Sequence, residues 1–342
     1  MDINKLVRKN IQQLRPYSSA RDEFEGEASI FLDANENPYD TDYNRYPDPH
    51  QKQLKKRISE LKKVNEEQIF LGNGSDEAID LLLRAFCEPG KDEVLIPQPT
   101  YGMYAVSASI NDVKINSASL TEDFDIDPEA TLSAITPQTK IIFLCSPNNP
   151  SGNLLTKEKV IEVIKSFVGL VVVDEAYIDF TNSLSLTESL NQYKNLVVLQ
   201  TLSKAWGLAG LRLGICFASK EIISVINKIK PPYNISSATQ SLALERLQQV
   251  EIKNQQVKEI VDQREIMKAR LSESKIVEHV YRSDSNFLLV QVKNTKKVYE
   301  NLLTKGIVLR DRSNVILCND CLRITIGTSK ENQLLLDELK KL

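Results

Sequence analysis

The chain has 342 residues, of which 42% are apolar and 26% are charged, and its formal net charge is −3. This composition is typical of a globular protein and lacks the basic excess of proteins that bind nucleic acid or anionic membranes. The first residues are charged and polar rather than signal-like, and no apolar run approaches the about 18 residues that span a bilayer. We therefore expect a cytoplasmic protein with one large and one smaller domain, and with neither nucleic acid nor membrane among its partners.

Cysteine and histidine are scarce, which limits the possible chemistry. Five cysteines in a chain of this length do not form a disulfide framework, and Cys318 and Cys321 make the single C-x-x-C. Without a second such pair, these two are better interpreted as ordinary buried or strand-end thiols, and we predict no metal site. His50 and His279 are the only histidines. A Ser-His-Asp mechanism is therefore disfavoured, and we expect a base other than histidine.

In chain order, short apolar runs predict strands at residues 68–71, 93–97, 140–145, 170–174, 196–201 and 213–217. Amphipathic stretches between these runs predict helices, among them residues 77–87, 157–167 and 184–192. The predicted strands are apolar throughout rather than alternating, which is typical of a mostly parallel sheet covered by helices on both faces. An α/β sheet of this kind binds its ligands at the carboxyl ends of the strands.

After about Pro231 the pattern changes. A long helical stretch at residues 238–272 precedes short alternating strands at 286–292, 307–309 and 321–326, which indicates a smaller α+β domain. Residues 1–35 have little sheet character, and we expect them to pack against this smaller domain. The predicted division is a large domain at residues 36–237 and a small domain made of residues 1–35 and 238–342.

Three of the apolar strands lead into polar residues at their carboxyl ends. The strand that begins at residue 140 leads into Asn149, the next ends at Asp174 and leads into Tyr177, and the one after leads into Lys204. Because the carboxyl ends of parallel strands share one edge of a sheet, these four side chains should converge. Each alone has a plainer interpretation: Asp174 could cap a turn, Ser-Pro-Asn-Asn-Pro is a turn sequence, and most lysines are solvated. Their combination indicates a site.

The four residues suit one cofactor, pyridoxal 5′-phosphate (PLP). An acid at a strand end, such as Asp174, can pair with a protonated pyridine nitrogen and keep the ring a strong electron sink. The Tyr177 phenol and the Asn149 amide can hold the 3-oxygen of the ring. Lys204 can form a Schiff base with the cofactor and then shuttle a proton, provided that its pKa is perturbed from the usual value. We therefore predict Lys204, Asp174 and Tyr177 as the catalytic residues.

A second cluster offers a site for the cofactor phosphate. Leu-Gly-Asn-Gly-Ser-Asp-Glu, which contains Ser75 and Asp76, follows a strand and opens a helix, where glycines and free amides favour an anion. Ser75 and Asp76 are also ordinary helix-cap residues. Arg212 offers a permanent cation and Ser203 a hydroxyl for the same phosphate. Tyr101, after another strand, could stack on the pyridine ring.

These motifs resemble those of the fold-type I PLP-dependent aminotransferases. The sequence contains G-S-D-E, P-T-Y-G-M-Y, C-S-P-N-N-P-S-G, V-D-E-A-Y, T-L-S-K and A-G-L-R-L-G in the order and spacing of that family. The resemblance covers nearly the whole chain and implies a homodimer whose active sites lie at the subunit boundary. It also implies that Tyr46 reaches the cofactor phosphate of the neighbouring subunit, whereas the sequence alone would make Tyr46 a packed loop aromatic.

Within this family the sequence is most similar to the histidinol-phosphate aminotransferase group. The residues that carry this narrower resemblance are R-P-Y near the start, L-D-A-N-E-N-P, R-Y-P-D-P, R-A-F-C-E-P-G, S-N-F, V-L-R-D and C-L-R-I-T-I-G-T. The implied small-molecule substrates are histidinol phosphate and glutamate or 2-oxoglutarate, within histidine biosynthesis. Two alternatives of the same fold remain open: a broad-specificity aromatic aminotransferase, and a threonine-phosphate decarboxylase.

The same resemblance implies a set of substrate-binding residues. Arg323 would read the substrate carboxylate, and Arg310 would help to hold a dianion, since the planar fork of arginine suits both carboxylate and phosphate. Tyr17 would reach the substrate phosphate. Asn35 or Glu36 would face the imidazole ring. From the sequence alone, either arginine could instead be a surface residue of a strand.

Overall fold

The computed structural model describes residues 2–18, 20–24, 26 and 29–342. Its larger sheet consists of β1 (Ile69–Asn73), β2 (Glu93–Leu95), β3 (Lys114–Asn116), β4 (Thr139–Cys145), β5 (Leu170–Asp174), β6 (Leu196–Thr201) and β7 (Leu213–Ala218). These seven strands lie in the order β1-β7-β6-β5-β4-β2-β3. β7 runs antiparallel to β1 and β6, and the other neighbouring pairs are parallel. The predicted α/β fold with a mostly parallel sheet is confirmed.

Helices cover both faces of this sheet and one face of a smaller sheet. In the described ranges they are α1 (Lys9–Gln13), α2 (Ala20–Glu23), α3 (Lys52–Lys62), α4 (Gly74–Phe86), α5 (Met103–Ile110), α6 (Pro128–Ser133), α7 (Lys157–Ser166), α8 (Lys220–Ile229), α9 (Ser237–Leu247), α10 (Val250–Ser272), α11 (Thr295–Thr304) and α12 (Ser329–Leu339). α3, α7 and α9 pack on one face, and α4, α5 and α8 pack on the other. Within the described part of the chain, none of these helices has the length and apolarity to cross a bilayer.

β5 shows why the strands are apolar on both faces. Successive side chains of a strand point to opposite sides of the sheet. Val171 and Val173 therefore lie in the core beside α7, while Leu170 and Val172 lie in the core on the α4 and α8 side. A strand that is buried on both faces needs an uninterrupted apolar run, so its one charged residue, Asp174, stands at the carboxyl end.

A smaller antiparallel sheet borders this carboxyl edge. Its strands are β8 (Val277–Val280), β9 (Phe287–Val292), β10 (Arg310–Asp311) and β11 (Cys321–Thr325), in the order β10-β11-β9-β8. On one face, Leu288 and Val290 pack with residues of α10, α11 and α12. On the other face, Leu289 joins the large-sheet core and the Phe287 ring meets the Tyr177 ring edge-on, with centroids 5.2 Å apart. The small sheet is therefore in direct contact with the predicted site.

The N-terminal residues pack differently from our expectation. Ile3 and Val7 are buried in the core that α4 and α8 share, and the Arg8 amide donates to Ala85 O at 3.0 Å. Ile3 and Val7 therefore pack with the large sheet, whereas the sequence predicts that residues 1–35 pack against the small domain. Ile3 lies in a short 3-10 helix, Ile3–Lys5, and the turn after it brings Val7 into the same core, where both apolar side chains are removed from water.

Two predicted elements are wrong, each because of a specific tertiary or turn contact. Residues 184–192 form no α-helix but a short 3-10 helix, Leu186–Ser189. The buried Glu175 carboxylate accepts from the Leu186 amide at 2.7 Å and from the Ser185 hydroxyl, so this segment is held by the end of β5. Residues 307–309 are not a strand, because the Ile307 amide bonds back to Leu302 O at 2.9 Å in the turn after α11.

A third prediction is wrong in part. The sequence predicts one long helix at residues 238–272, and the structure has two helices there. α9 ends at Leu247, and α10 begins at Val250. The Arg57 guanidinium donates to Leu247 O at 3.0 Å, which takes up a carbonyl at the end of α9. The break turns α10 towards the small sheet, where its last turns supply Met267 and Leu271 to the core.

The cysteines are buried thiols in the structure. All five are free, and Cys318 and Cys321 are buried with the others. The Cys321 thiol contacts Asn319 O at 3.4 Å. In the ranges that the structure describes, no group of three or more His, Cys, Asp or Glu side chains is arranged to hold a metal ion.

Candidate active site

The carboxyl ends of β4, β5 and β6 open into one recess beside the start of α4. The recess has a volume of about 490 Å³, including its open mouth. Its lining consists of Gly74, Ser75, Asp76, Tyr101, Cys145, Asn149, Asp174, Ala176, Tyr177, Thr201, Ser203, Lys204 and Arg212. The structure thus brings together the side chains that follow three separate strands, and it places the glycine-rich turn beside them.

Asp174 is a buried carboxylate at this recess, only 2% exposed. Its Oδ2 accepts from the Tyr104 hydroxyl at 2.7 Å, and its Oδ1 accepts from the Ala176 amide at 3.0 Å. Burial raises the pKa of Asp174 to about 6, and these two donors oppose part of the increase. No ion pair joins Asp174 to a cation in the described residues. A buried carboxylate of this kind favours a cationic partner in the recess.

Tyr177 and Asn149 are linked to the small sheet through Arg323. Asn149 Nδ2 donates to the Tyr177 hydroxyl at 3.4 Å, and Arg323 Nη1 donates to Asn149 Oδ1 at 2.6 Å. The Arg323 guanidinium also lies over the Phe287 ring, 5.3 Å from its centroid. Burial raises the pKa of Tyr177, so its phenol stays protonated near neutral pH and can donate a hydrogen bond.

Lys204 lies in the loop after β6, with Nζ 5.6 Å from the centroid of the Tyr177 ring. The residue is exposed, yet it is among those that line the recess. Desolvation, together with the Arg323 cation, lowers the pKa of Lys204, and the Asp174 carboxylate opposes this. A lowered pKa increases the neutral amine that a nucleophile or a general base must supply.

The start of α4 forms an anion cradle that depends on two glycines. Gly74 has φ +73°, and a Cβ there would lie 2.8 Å from Arg212 Nη2. A Cβ on Gly214 of β7 would overlap the Ser75 amide nitrogen. The first amides of a helix have no intrahelical acceptor, and the helix dipole favours negative charge at that end. Because Arg212 borders the same recess, these groups together suit a phosphate.

Asp76 and Tyr101 form the neighbouring wall. The Tyr101 hydroxyl donates to Asp76 Oδ1 at 3.2 Å, and Arg212 Nη2 lies 3.7 Å from Asp76 Oδ2. A carboxylate repels a phosphate, so the Asp76 side chain orients its two neighbours, and only its amide suits an anion. The Tyr101 ring borders the recess, as expected for a group that stacks on a planar ligand.

Three arginines of the small sheet form a positive patch. Arg310 and Arg323 are paired across β10 and β11, so their side chains share one face. The Arg312 amide bonds to Cys321 O at 2.9 Å, and strand alternation places the Arg312 side chain on the same face. None of the three forms an ion pair with a carboxylate of the described residues. Burial and the neighbouring guanidiniums lower the pKa of Arg312 and Arg323, so an anion at this face is favoured.

Besides Arg310 and Arg323 of the positive patch, four predicted residues are not among those that line the recess: Tyr17, Asn35, Glu36 and Tyr46. Glu36 accepts from Arg45 Nη1 and from the Tyr46 amide, each at 2.7 Å. The Tyr46 ring stacks on Tyr233, with centroids 4.4 Å apart. Tyr17 is 70% exposed. These residues do not meet Lys204 inside one chain, and their roles stay predictions.

Sequence reasoning missed two residues of this region, Tyr104 and Arg312. Tyr104 is buried on α5, and its hydroxyl contacts Asp174. Its one sequence signal was the spacing of three residues from Tyr101, which places both on one side of a helical turn. Arg312 alternates with Arg310 along β10, but that strand was placed at residues 307–309, so the alternation was not visible. The Arg312 Nε is buried without a hydrogen-bond partner in the described residues.

The fold and the recess define a class of enzyme. The family model for aminotransferase class I and II matches residues 30–339. The chain belongs to this family. Its members are PLP-dependent aminotransferases, which agrees with the resemblance that the motifs gave.

Individual relatives are more specific. The chain is 55% identical to the histidinol-phosphate aminotransferase of Cytophaga hutchinsonii, over 99% of this chain and 98% of that protein. It is also 55% identical to the enzyme of the same name from Parabacteroides distasonis, over 100% and 99%. Among solved structures, histidinol-phosphate aminotransferase from Clostridium acetobutylicum matches with a TM-score of 0.81 at 28% identity, covering 88% of this chain and 91% of that one. The enzyme from Sinorhizobium meliloti, solved in complex with PLP, shares the fold at 22% identity and a TM-score of 0.81, over 88% and 83%.

Proposed function

We propose that this chain is a PLP-dependent histidinol-phosphate aminotransferase. It interconverts L-histidinol phosphate and 2-oxoglutarate with imidazole-acetol phosphate and L-glutamate, a step of histidine biosynthesis. The observation that carries the proposal is the convergence of Lys204, Asp174 and Asn149 from three strand ends on one recess. It occurs in a chain whose full-length relatives have this activity in their names.

The residues of the recess fit the cofactor. Asp174 is a buried carboxylate with room for a cationic partner, which suits the ring nitrogen of PLP. Gly74 and Gly214 leave space at the start of α4 that a Cβ would fill, which suits the PLP phosphate beside Arg212, Ser75 and Ser203. Tyr177 and Asn149 would hold the 3-oxygen, and Tyr101 would stack on the ring. When bound, PLP supplies the aldehyde that carries the amino group and a ring that takes up electrons from the substrate Cα.

The chain's own groups then have distinct tasks. Lys204 Nζ would hold the cofactor, and its neutral amine would serve as the base that takes the proton from the substrate Cα. Its lowered pKa favours the neutral amine that this proton transfer requires. Tyr177 lies under Lys204, and its hydroxyl accepts from Asn149 Nδ2, so its protonated phenol would have its own hydrogen to donate to a bound group. Asp174 would pair its negative charge with the ring nitrogen.

Substrate binding is assigned to the positive patch of the small sheet. Arg323 adjoins Asn149 at 2.6 Å, which places its guanidinium at the edge of the recess where an α-carboxylate would lie. Arg310, on the same face, provides a second cation for the dianionic phosphate of histidinol phosphate. Tyr17 is assigned to the same phosphate, and Asn35 or Glu36 to the imidazole ring.

A second copy of this chain is the proposed partner. The arm, which we define as residues 29–46, exposes many large apolar side chains, including Ile30, Leu32, Tyr39, Tyr43 and Tyr46. Exposed large apolar side chains concentrated in one segment are typical of a protein-protein interface. In a homodimer, Tyr46 would reach the cofactor phosphate of the neighbouring subunit, and Tyr17 and Glu36 would reach its substrate.

Single-turnover absorbance tests the assignment. The purified PLP form would be mixed separately with L-histidinol phosphate, phosphate-free L-histidinol, L-phenylalanine and O-phospho-L-threonine. We expect rapid conversion to the pyridoxamine form with histidinol phosphate, and much slower conversion with histidinol because the arginine patch then has no dianion. Equal conversion with phenylalanine would favour a broad aromatic aminotransferase. Release of carbon dioxide from phosphothreonine would replace transamination with decarboxylation.

A further inference from the structure

Tyr104 makes a polar contact that its place in the core does not explain. The side chain is 0% exposed, and its ring stacks on Phe143 with centroids 4.9 Å apart and planes inclined by 10°. The hydroxyl donates to Asp174 Oδ2 at 2.7 Å, which joins α5 to the end of β5. A phenylalanine would fill the same space against Phe143, so packing alone does not account for the hydroxyl.

We propose that Tyr104 is a positioning residue for the reaction, whose hydroxyl keeps the Asp174 carboxylate ionised and turned towards the recess. The inference rests on the proposed use of PLP, because the group that Asp174 would hold is the ring nitrogen. Tyr104 and the Ala176 amide each hold one carboxylate oxygen, so the carboxylate cannot rotate without losing both hydrogen bonds. Tyr104 is not among the residues that line the recess, and it acts only through Asp174.

The surroundings of Asp174 make such a donor important. The titratable groups that face Asp174 come from six places: α4, the end of β4, the loop before α5, α5 itself, and the loops after β5 and β6. In that order they are Asp76, Cys145, Tyr101, Tyr104, Tyr177 and Lys204. Of these, Lys204 is the cation, and Asp76 is a second carboxylate that disfavours ionisation of Asp174. Burial, the largest influence, raises the pKa of Asp174, and the Tyr104 hydroxyl is the strongest influence in the opposite direction. Without that hydroxyl, the carboxylate moves towards its neutral form, which cannot pair with a protonated ring nitrogen.

The test compares wild type with Tyr104→Phe, which keeps the ring and removes the hydroxyl. Both proteins would be loaded with PLP labelled with ¹⁵N in the ring, because the ¹⁵N chemical shift reports whether the ring nitrogen is protonated. We expect the pH midpoint for loss of that proton to fall by roughly one to two pH units, since a hydrogen bond to a charged group contributes about that much. The turnover number should fall roughly 10-fold, with KM for histidinol phosphate nearly unchanged, because the lost interaction is not a substrate contact.

Two further variants separate this role from packing. Tyr193→Phe removes a hydroxyl from a tyrosine that packs on the core beside α3 and α7, away from the recess. Phe143→Leu removes the ring beneath Tyr104 but leaves its hydroxyl. We expect both to keep the wild-type ¹⁵N midpoint, although Phe143→Leu lowers the melting temperature.

Two results would overturn the inference alone, while PLP still binds normally. One is an unchanged midpoint in Tyr104→Phe. The other is an equal shift in Phe143→Leu, which would mean that the stacked rings rather than the hydroxyl position Asp174. A wild-type protein that takes up no PLP would instead overturn the proposed function, and the inference with it.

Discussion

The recess and the arm differ in how complete they are within one chain. In the recess, polar side chains are buried and held by partners from different elements, as Asp174 is by Tyr104 and Asn149 by Arg323. In the arm, Leu32 is 90% exposed and Tyr39 is 79% exposed. A described polar contact of the arm is local, between Glu36 and Arg45 nine residues further along the chain.

The difference separates two kinds of functional residue. The groups proposed to hold the cofactor ring lie at one sheet edge, so one folded chain suffices to place them. Tyr17, which is assigned to the substrate phosphate, and Tyr46, which is assigned to the cofactor phosphate of the neighbouring subunit, lie away from the recess and need the proposed second copy. Substitutions in the recess should therefore act within their own chain, and substitutions in the arm should act across the interface.

The largest effect is expected at Lys204. In Lys204→Ala the chain loses both the amine that holds the cofactor and the base that takes the Cα proton. We expect the turnover number to fall by about 10⁴-fold or more, at the upper end for loss of a general base. Steady-state transamination of histidinol phosphate measures this. Lys220→Ala is the matched control, since Lys220 is an exposed lysine paired with Glu67, and it should stay within about twofold of wild type. An active Lys204→Ala enzyme would remove Lys204 from the mechanism.

Hybrid dimers test whether Tyr46 acts on the neighbouring subunit while Lys204 acts in its own chain. Lys204→Ala and Tyr46→Ala chains would be co-expressed with different affinity tags, and the dimers carrying both tags would be isolated. If Tyr46 serves the neighbouring subunit, one site of each hybrid has intact Lys204 and intact Tyr46. The hybrid should then recover about half of the wild-type activity, because one of two symmetric sites is restored.

The matched control pairs Lys204→Ala with Arg212→Ala. Arg212 borders the same recess as Lys204 in its own chain, so no site of that hybrid contains both residues. We expect no recovery there. If the hybrid of Lys204→Ala and Tyr46→Ala shows only the residual activity of Tyr46→Ala, then Tyr46 belongs to the site of its own subunit. A failure to recover any dimer would contradict the proposed partner.

The recess could be predicted from the sequence because its signals are local. A doubly buried strand must be apolar throughout, so Asp174 at the end of such a run stands out, as does Lys204 after the run in β6. The glycine requirement at Gly74 is similarly local, because a left-handed turn precedes the helix. The parallel arrangement of β4, β5 and β6 then brings the residues at the strand ends together, because parallel strands share one carboxyl edge.

The other features could not be predicted because they depend on contacts between distant segments. The hydroxyl of Tyr104 matters only because α5 packs beside the end of β5, and a buried tyrosine looks the same in sequence as any core aromatic. Residues 184–192 had a helical pattern, but hydrogen bonds to the buried Glu175 carboxylate outweighed a short helix of marginal stability. Ile3 and Val7 joined the large-sheet core, although nothing near them in sequence belongs to that sheet.

The smallest expected effect is a gain rather than a loss. Asp174→Asn should raise the free energy of unfolding of the cofactor-free protein. The pKa of Asp174 is about 6 when folded, above the value of 3.8 for an unperturbed aspartate. Between these values the folded chain holds a proton that the unfolded chain has lost, so the free energy of unfolding falls as pH rises and stays lowered above about pH 6. Two pKa units correspond to about 3 kcal/mol, and the substitution sacrifices one hydrogen-bond acceptor, about 1 kcal/mol. Urea unfolding should thus show a gain of about 2 kcal/mol near pH 8 and a smaller gain near pH 5.

Asp179→Asn is the control, and its expected effect is the reverse. Lys62 and Lys253 hold the pKa of Asp179 below its usual value despite burial, so that variant should lose stability near pH 8. If Asp174→Asn were less stable than wild type near pH 8, the carboxylate would not be under the desolvation that the recess relies on to attract a cationic ring.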